Sequence, residues 1–245
     1  MRNFLTIWRR EMAAYFLSPV AYVTFVAYLA ASAATFMVGV LQNAGSTVVL
    51  SNLLFDALFL WLPVLLTVVS MRLFAEEKRS GTIEMLMTAP VTEQEVVFGK
   101  FAGAFTSVLT VLLPAVGTIF LLDAICPGIS LRDVDPGAIA GGSLILILAA
   151  AFFLALGLLI SLTTRSQIAA AISTLSLIWL LLMGGWLFSL IPGSPPHVTD
   201  YLSMTRNISD FAQGMLDLRP VILYLTGTGL LLFISVRILE SERWK

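Results

Sequence analysis

The sequence predicts an all-α integral membrane protein with six transmembrane helices, and three observations support this fold class. Hydrophobic residues make up 58% of the 245 residues and charged residues only 12%, whereas about a quarter of a typical soluble domain is charged. Six stretches are long and apolar enough to cross a bilayer, and the positive charges lie mostly on one side of them. Because a core of this chain length could not bury so much apolar surface, lipid must be the solvent.

This composition excludes several classes of protein. A soluble enzyme and a disordered chain are both inconsistent with it, and a net charge of −1 provides no basic surface for nucleic acid. Cys126 is the only cysteine and His197 the only histidine, so the chain can form neither an internal disulfide framework, nor a multi-cysteine metal site, nor a histidine cluster. We therefore expect no metal, no bound cofactor and no catalytic residue in this chain.

Residues 2–18 predict an amphipathic helix that lies in the cytoplasmic membrane interface. Apolar and aromatic side chains recur there at helical spacing, while the arginines occupy the other faces. Ser18 and Pro19 end this helix, because the residue before a proline avoids the helical conformation. A secretory signal is the alternative, but the apolar run 20–41 that follows is longer than the roughly 7–15 residues of a signal's apolar region.

Six segments are expected to span the membrane, because each carries about 20 predominantly apolar residues. Backbone groups in lipid must be paired within the segment, so these segments are helices. Asp56 and Arg237 are the charged residues within them, and Arg237 can extend to the interface. The predicted spans are 20–41, 53–71, 101–122, 138–164, 168–191 and 221–238.

The segment 76–95, between the second and third spans, is the largest charged cluster in the chain. Gly81 and Pro90 bracket a short helical stretch in which Ile83 and Leu86 share one apolar face. On the cytoplasmic side this face has no lipid to bury in, so it indicates a protein partner. A solvated charged loop is the alternative interpretation.

Two further segments are defined by local signals. Thr92 and Glu95 have the spacing of a capping box, which predicts the start of the helix leading into the third span. Residues 192–219 form the longest loop on the other side, with short helices that lie on or enter the outer leaflet. The segments 141–143 and 184–186 contain glycine pairs that permit close helix packing.

The positive-inside rule orients the chain. Eleven of the fourteen Lys and Arg residues fall on the side of the N-terminus, against three on the other side. We therefore predict that both termini are cytoplasmic, as an even number of spans requires.

No energy source for transport is visible in this chain. Gly99 and Lys100 are not part of a phosphate-binding loop, because the required upstream glycine is Gln94. Asp56 is the only charge well inside a span and lies near its outer end, which argues against an ion-coupled carrier. Energy for uphill transport would have to come from another subunit through segment 76–95.

Several of these residues resemble ABC-2 type ABC transporter permeases. Residues 76–84 with Leu86, 88–91 and 99–100 are similar to the coupling-helix segment of that family. Residues 8–11 and 15–19 resemble its connecting helix. The tail 217–244 resembles the gliding-motility (GldF-like) branch, whose sequences are much like those of nitrous-oxide-reductase maturation permeases.

This resemblance implies an architecture and a set of partners. The fold would be type V exporter-like, with six helices per subunit, in the bacterial cytoplasmic (inner) membrane. Two permease copies would form a central pathway, each on a separate cytoplasmic ABC ATPase that binds ATP and Mg. A periplasmic auxiliary subunit is a further candidate partner, and membrane lipid surrounds the assembly.

The resemblance also implies residue roles. The connecting helix would contribute Trp8, Arg9, Arg10, Tyr15 and Phe16. The ATPase-coupling residues would be Glu77, Arg79, Ser80, Gly81, Thr82, Ile83, Glu84, Met85, Leu86 and Pro90. The outer loop would contribute Arg206, Phe211 and Asp217, although the family pattern of a phenylalanine with a basic residue is replaced here by Ile208, Phe211 and Gln213.

Two other functions compete with a transporter permease. A non-transporting membrane subunit could transmit force to, or anchor, an ATP-driven envelope or gliding machine. An ion-coupled carrier is the second, and it is disfavoured by the scarcity of intramembrane charge. The sequence identifies neither a substrate nor a pore-lining face, because nearly every span is apolar all round.

Overall fold

The computed structural model describes residues 2–43, 50–82, 91–125, 136–190 and 203–243, and the regular structure within these ranges is entirely helical. Ten helices are described there, with these bounds: α1 Arg2–Phe16, α2 Pro19–Gln42, α3 Leu50–Ser70, α4 Ala75–Ser80, α5 Glu93–Ile125, α6 Pro136–Thr163, α7 Gln167–Leu182, α8 Gly184–Ser189, α9 Met204–Ala212 and α10 Leu218–Arg243.

Five of these helices, α2, α3, α5, α6 and α10, are long and apolar enough to cross a membrane. They confirm the predicted helical membrane fold, and the six-span expectation is roughly consistent with them. The remaining predicted span, 168–191, is divided into α7 and α8 by a turn at Met183. Gly184 and Gly185 follow this turn, and glycine disfavours a continuous helix by about 1 kcal/mol relative to alanine.

Helices α3 and α6 form the centre of the bundle. In its most apolar stretch α3 is 67% buried, compared with 22% for both α2 and α10. A Cβ at Gly142 of α6 would lie 2.3 Å from the Phe55 ring, and one at Gly157 would lie 2.3 Å from Ser70 Oγ. These two glycines therefore allow α6 to pack directly against α3, as small residues do between membrane helices.

The N-terminal helix packs on one end of the bundle. The hydroxyl of Tyr15 donates to the carbonyl oxygen of Val69 at 2.9 Å, close to the end of α3. Pro19 starts α2 without a lost hydrogen bond, because the first helical position has no backbone partner for an N–H group. The sharp connection at Ser18 and Pro19 thus turns the chain from α1 into α2.

Candidate functional site

Helix α4 lies at the end of the bundle that is predicted to be cytoplasmic, and α6 holds its first turn. The backbone N–H groups of Phe74 and Ala75 donate to Ser161 Oγ at 3.1 and 3.0 Å. Lys78 Nζ donates to the carbonyl oxygen of Leu162. Ser161 therefore satisfies N–H groups that would otherwise be unpaired at a helix start, and α4 is anchored on the last turn of α6.

Gly81 ends α4 in the left-handed conformation, with φ of 71°. Glycine adopts this conformation without steric cost and is the usual residue after a helix end. Ser80 Oγ donates back to the carbonyl oxygen of Glu76 at 2.9 Å, and it also lies 2.9 Å from Thr82 Oγ1. This geometry sets the direction in which the chain leaves the bundle.

The predicted coupling residues divide into two groups. Glu77, Arg79, Ser80, Gly81 and Thr82 are described, and of these Arg79, Ser80, Gly81 and Thr82 are exposed. The others lie outside the described residues, and they are Ile83, Glu84, Met85, Leu86 and Pro90.

Lys100 connects three elements at this end of the molecule. Its side chain is 3% exposed, and Nζ donates to Glu11 Oε1 of α1 and to Glu77 Oε1 of α4, each at 2.9 Å. Nζ also lies 5.1 Å from the centre of the Phe74 ring. Arg10 approaches the same Glu77 oxygen at 3.5 Å from a largely exposed position. Buried charges need such partners, so this cluster ties α1, α4 and α5 together.

Sequence reasoning missed the role of Lys100, Glu11 and Phe74. The sequence places Lys100 among the cytoplasmic positive charges and in the segment 99–100 that resembles the family, and neither observation predicts a buried ion pair. Lys100 nevertheless follows the apolar residues 96–98 and precedes Phe101 and Ala102. A charge within an apolar stretch is a sign of a buried partner, and this signal could have singled out Lys100. It could not have identified Glu11, which is 89 residues away.

Helix α1 approaches α5 very closely through Gly99 and Gly103. A Cβ at Gly99 would lie 2.8 Å from Ile7 Cγ2, and one at Gly103 would lie 2.6 Å from Glu11 Cβ. These glycines are four residues apart and face the same helix, which is the spacing that lets helices pack at short distance. Trp8 Nε1 donates to Thr106 Oγ1 at 2.9 Å one turn further along.

The remaining residues of the predicted connecting helix have distinct environments. Arg9 is exposed and Phe16 is half-buried. Tyr15 is 6% exposed, and burial, reinforced by the Glu11 carboxylate, raises the pKa of its phenol far above the usual value. The phenol therefore remains protonated and keeps its hydrogen bond to α3.

The comparison with protein families agrees with this helical arrangement. A family model described as "ABC-2 family transporter protein" matches residues 4–235. The chain belongs to the ABC-2 transporter family. Comparison with curated proteins finds no match. Membership makes the chain a membrane component of a transport system, and it does not establish the gliding-motility branch.

At the opposite end of this ABC-2 protein, α9 is packed into the bundle. Phe211 is 1% exposed, and Ser51 Oγ donates to the neighbouring Ala212 carbonyl oxygen at 2.7 Å. Arg206 is exposed, and Asp217 Oδ1 accepts from the Arg219 N–H at 2.9 Å at the start of α10. The three predicted outer-loop residues thus differ in burial and in partners, and residues 192–202 of that loop lie outside the described ranges.

Proposed function

We propose that this chain is the permease subunit of an ABC transporter, driven by a separate cytoplasmic ATPase that binds ATP and Mg. The family supports a transport component, and the observation that carries the coupling role is the Lys100 cluster. It joins α1 and α4, the elements that lead to the exposed residues 79–82, directly to the membrane helix α5. A displacement of α1 or α4 by a bound ATPase would therefore be transmitted to the membrane helices.

The proposed mechanism is a two-state shift. ATP binding would bring two ATPase subunits together under a pair of permease copies, and the segment 76–95 would follow the ATPase surface. A partner can shift the permease only by contacting its two arrangements differently. Helix α4 is hydrogen-bonded to α6 and ion-paired to α5. A displacement of α4 would therefore change how α5 and α6 pack, and would not be confined to a loop.

Co-purification tests this function. The chain is purified in mild detergent from its native membrane, the bound proteins are identified, and ATP hydrolysis is measured for wild type and Leu86→Asp. Leu86→Asp places a charge in a proposed apolar contact, so we expect loss of the ATPase subunit or of the hydrolysis that depends on the permease. The matched control is Leu216→Asp, an exposed leucine at the opposite end, which should retain both.

Two results would contradict the permease assignment. One is recovery of the chain with no nucleotide-hydrolysing partner, which would make an ion-coupled carrier the better explanation. The other is Leu86→Asp retaining the ATPase subunit and wild-type hydrolysis, which would remove segment 76–95 from the interface. Cross-linking of two differently tagged copies tests the proposed homodimer in the same preparation.

A mechanical or anchoring subunit of an envelope or gliding machine is the second candidate function. It rests on the resemblance of the tail 217–244 to the gliding-motility branch. Reconstitution with the ATPase distinguishes the two, because a transporter moves a solute or lipid across the vesicle membrane whereas an anchoring subunit hydrolyses ATP without net movement.

A further inference from the structure

A polar cavity opens where α1, the end of α3 and α4 meet. It has a volume of about 350 Å³, and its polar wall is formed by Glu11, Ser18, Arg72 and Glu76. One positive and two negative groups therefore line a space large enough for a lipid headgroup.

Arg72 is the positive group that lines this cavity. Its side chain is half-buried, and Nη1 donates to Ser18 Oγ at 3.0 Å. Within the described residues Arg72 makes no ion pair, although Glu76 lines the same cavity. A guanidinium presents several donors in a geometry that matches a phosphate group. The carboxylates of Glu11 and Glu76 could contact an amine, so the cavity is complementary to a phosphate group with an amine nearby.

An apolar groove continues from this cavity between α2 and α3. Arg72 and Tyr15 line both the polar cavity and a narrow neck, and Thr24 and Val68 line both that neck and a second cavity of about 290 Å³. The neck is open at its outer side, where Val20 is 46% exposed. The walls of the second cavity are almost entirely apolar.

The groove has the length of one membrane leaflet. Trp61 lines its far end, where Trp61 Nε1 donates to Thr35 Oγ1 at 2.9 Å. Trp61 and Arg72 are eleven positions apart in the sequence, which corresponds to about 16 Å at the rise of an α-helix. Half of the hydrocarbon core of a bilayer is about 15 Å, so an acyl chain that starts at the polar cavity would end near Trp61.

We propose that this groove binds one phosphatidylethanolamine molecule of the adjacent leaflet. Its phosphate contacts Arg72, its ammonium group contacts Glu76 and Glu11, and one acyl chain lies between α2 and α3. The two carboxylates disfavour an anionic headgroup, which selects a zwitterionic phospholipid over phosphatidylglycerol. Since the polar cavity is walled by α1 and α4, the bound lipid stabilises the position of both helices against the bundle.

Lipid retention tests this site. The full chain is purified in mild detergent, incubated with mixed micelles containing equal amounts of phosphatidylethanolamine and phosphatidylglycerol, and the lipid that remains bound is counted by native mass spectrometry. Wild type should retain one phosphatidylethanolamine per chain. Arg72→Gln should lower retention about tenfold, because it removes a charge-assisted contact with phosphate, whereas the exposed Arg165→Gln should not.

A second pair of variants tests the acyl groove without changing any charge. Ala27→Trp places an indole in the second cavity and should lower retention to the same extent, whereas Ala33→Trp on the same helix, outside the cavity, should not. Glu76→Gln should weaken the preference for the zwitterionic lipid, because only Glu11 then remains to contact the ammonium group. Thermal unfolding of each variant verifies that the fold is intact, and Ala27→Trp decides the question if Arg72→Gln does not fold.

Three outcomes would overturn the proposal. Equal retention by wild type, Arg72→Gln and Ala27→Trp would mean that the bound lipid is non-specific. A preference of the wild type for phosphatidylglycerol, or no preference, would remove the headgroup assignment. Equal loss in Ala33→Trp and Ala27→Trp would show that bulk on α2, and not filling of the groove, displaces the lipid.

Discussion

Lys100 shows at the residue scale how one charged side chain can organise a membrane protein. It is 3% exposed, with carboxylate oxygens of Glu11 and Glu77 at 2.9 Å and the Phe74 ring beneath it. A buried ion pair adds little net stability compared with a well-packed apolar contact, but removing one partner leaves an uncompensated charge. The main effect of the cluster is therefore to specify that α1, α4 and α5 pack together, and its contribution to the free energy of unfolding is smaller.

Lys100→Met should destabilise the fold, because it leaves Glu11 without its cation and Glu77 with only the largely exposed Arg10. We expect a loss of about 2–3 kcal/mol, below the value for a fully buried pair, because these carboxylates keep 12% and 13% exposure. The free energy of unfolding is measured by SDS titration in mixed micelles.

The control for this prediction removes all three charges. Lys100→Met combined with Glu11→Gln and Glu77→Gln should be more stable than Lys100→Met alone, since no buried charge is left unpaired. If the single variant were as stable as wild type, the cluster would not be energetically coupled to the fold.

Gly81→Ala tests the left-handed turn after α4. Its φ of 71° costs a residue with a Cβ about 1–2 kcal/mol, so we expect a loss of this size in the same unfolding measurement. Gly229→Ala is the matched control, because Gly229 lies within helix α10 with open space around it. An equal effect of both substitutions would show that the turn conformation is not the cause.

At the element scale, α1 is held by its fit against α5. Close contact at Gly99 and Gly103, the hydrogen bond from Trp8 to Thr106 and the pair between Glu11 and Lys100 all lie along one face of α1. Arg9 and Arg10 are on the exposed side. The amphipathic pattern of α1 predicted a helix in the membrane interface. Along much of its length, the same pattern packs α1 against α5.

Gly103→Ala should loosen α1, because the added methyl group would lie 2.6 Å from Glu11 Cβ. We expect faster trypsin cleavage after the exposed Arg9 and Arg10 in the intact, detergent-solubilised protein. Gly117→Ala, in the same helix with nothing within 4 Å, should leave the cleavage rate unchanged. Identical rates for the two variants would mean that the approach at Gly103 is not what holds α1 in place.

At the scale of the whole molecule, the orientation in the membrane is a prediction from charge alone. It places the Lys100 cluster, Arg79 and Arg165 in the cytoplasm and α9 on the other side. The structure agrees that α4 and α9 lie at opposite ends of the bundle, because they contact opposite ends of α6.

Thiol labelling measures this orientation. In a Cys126→Ser background, a cysteine introduced at the exposed Arg165 should react with a membrane-impermeant reagent only after intact cells are opened. A cysteine at the exposed Thr205 should react in intact cells. The reverse pattern would invert the topology, and labelling of both positions from one side would contradict the span count.

Local signals made parts of this structure predictable. The capping box at the start of α5 is confirmed, since the N–H of Thr92 donates to Glu95 Oε2 and the N–H of Glu95 donates to Thr92 Oγ1, both at 3.3 Å. The end of α1 near Ser18 and the role of Gly81 also follow from residue types at adjacent positions. The partners of Lys100 were not predictable, because they are 23 and 89 residues away.

The class of this protein follows from its amino-acid pattern: it is a helical membrane chain with the residue patterns of the ABC-2 family. Apolar length, capping and turn residues are properties of neighbouring positions, so they can be recognised without the fold. Which surfaces of those helices are internal depends on how the helices pack together. Every span is apolar nearly all round, so hydrophobicity cannot separate a face that packs on protein from one that contacts lipid. Side-chain packing separates the two kinds of face, and it buries 67% of the most apolar stretch of α3 but 22% of that of α2.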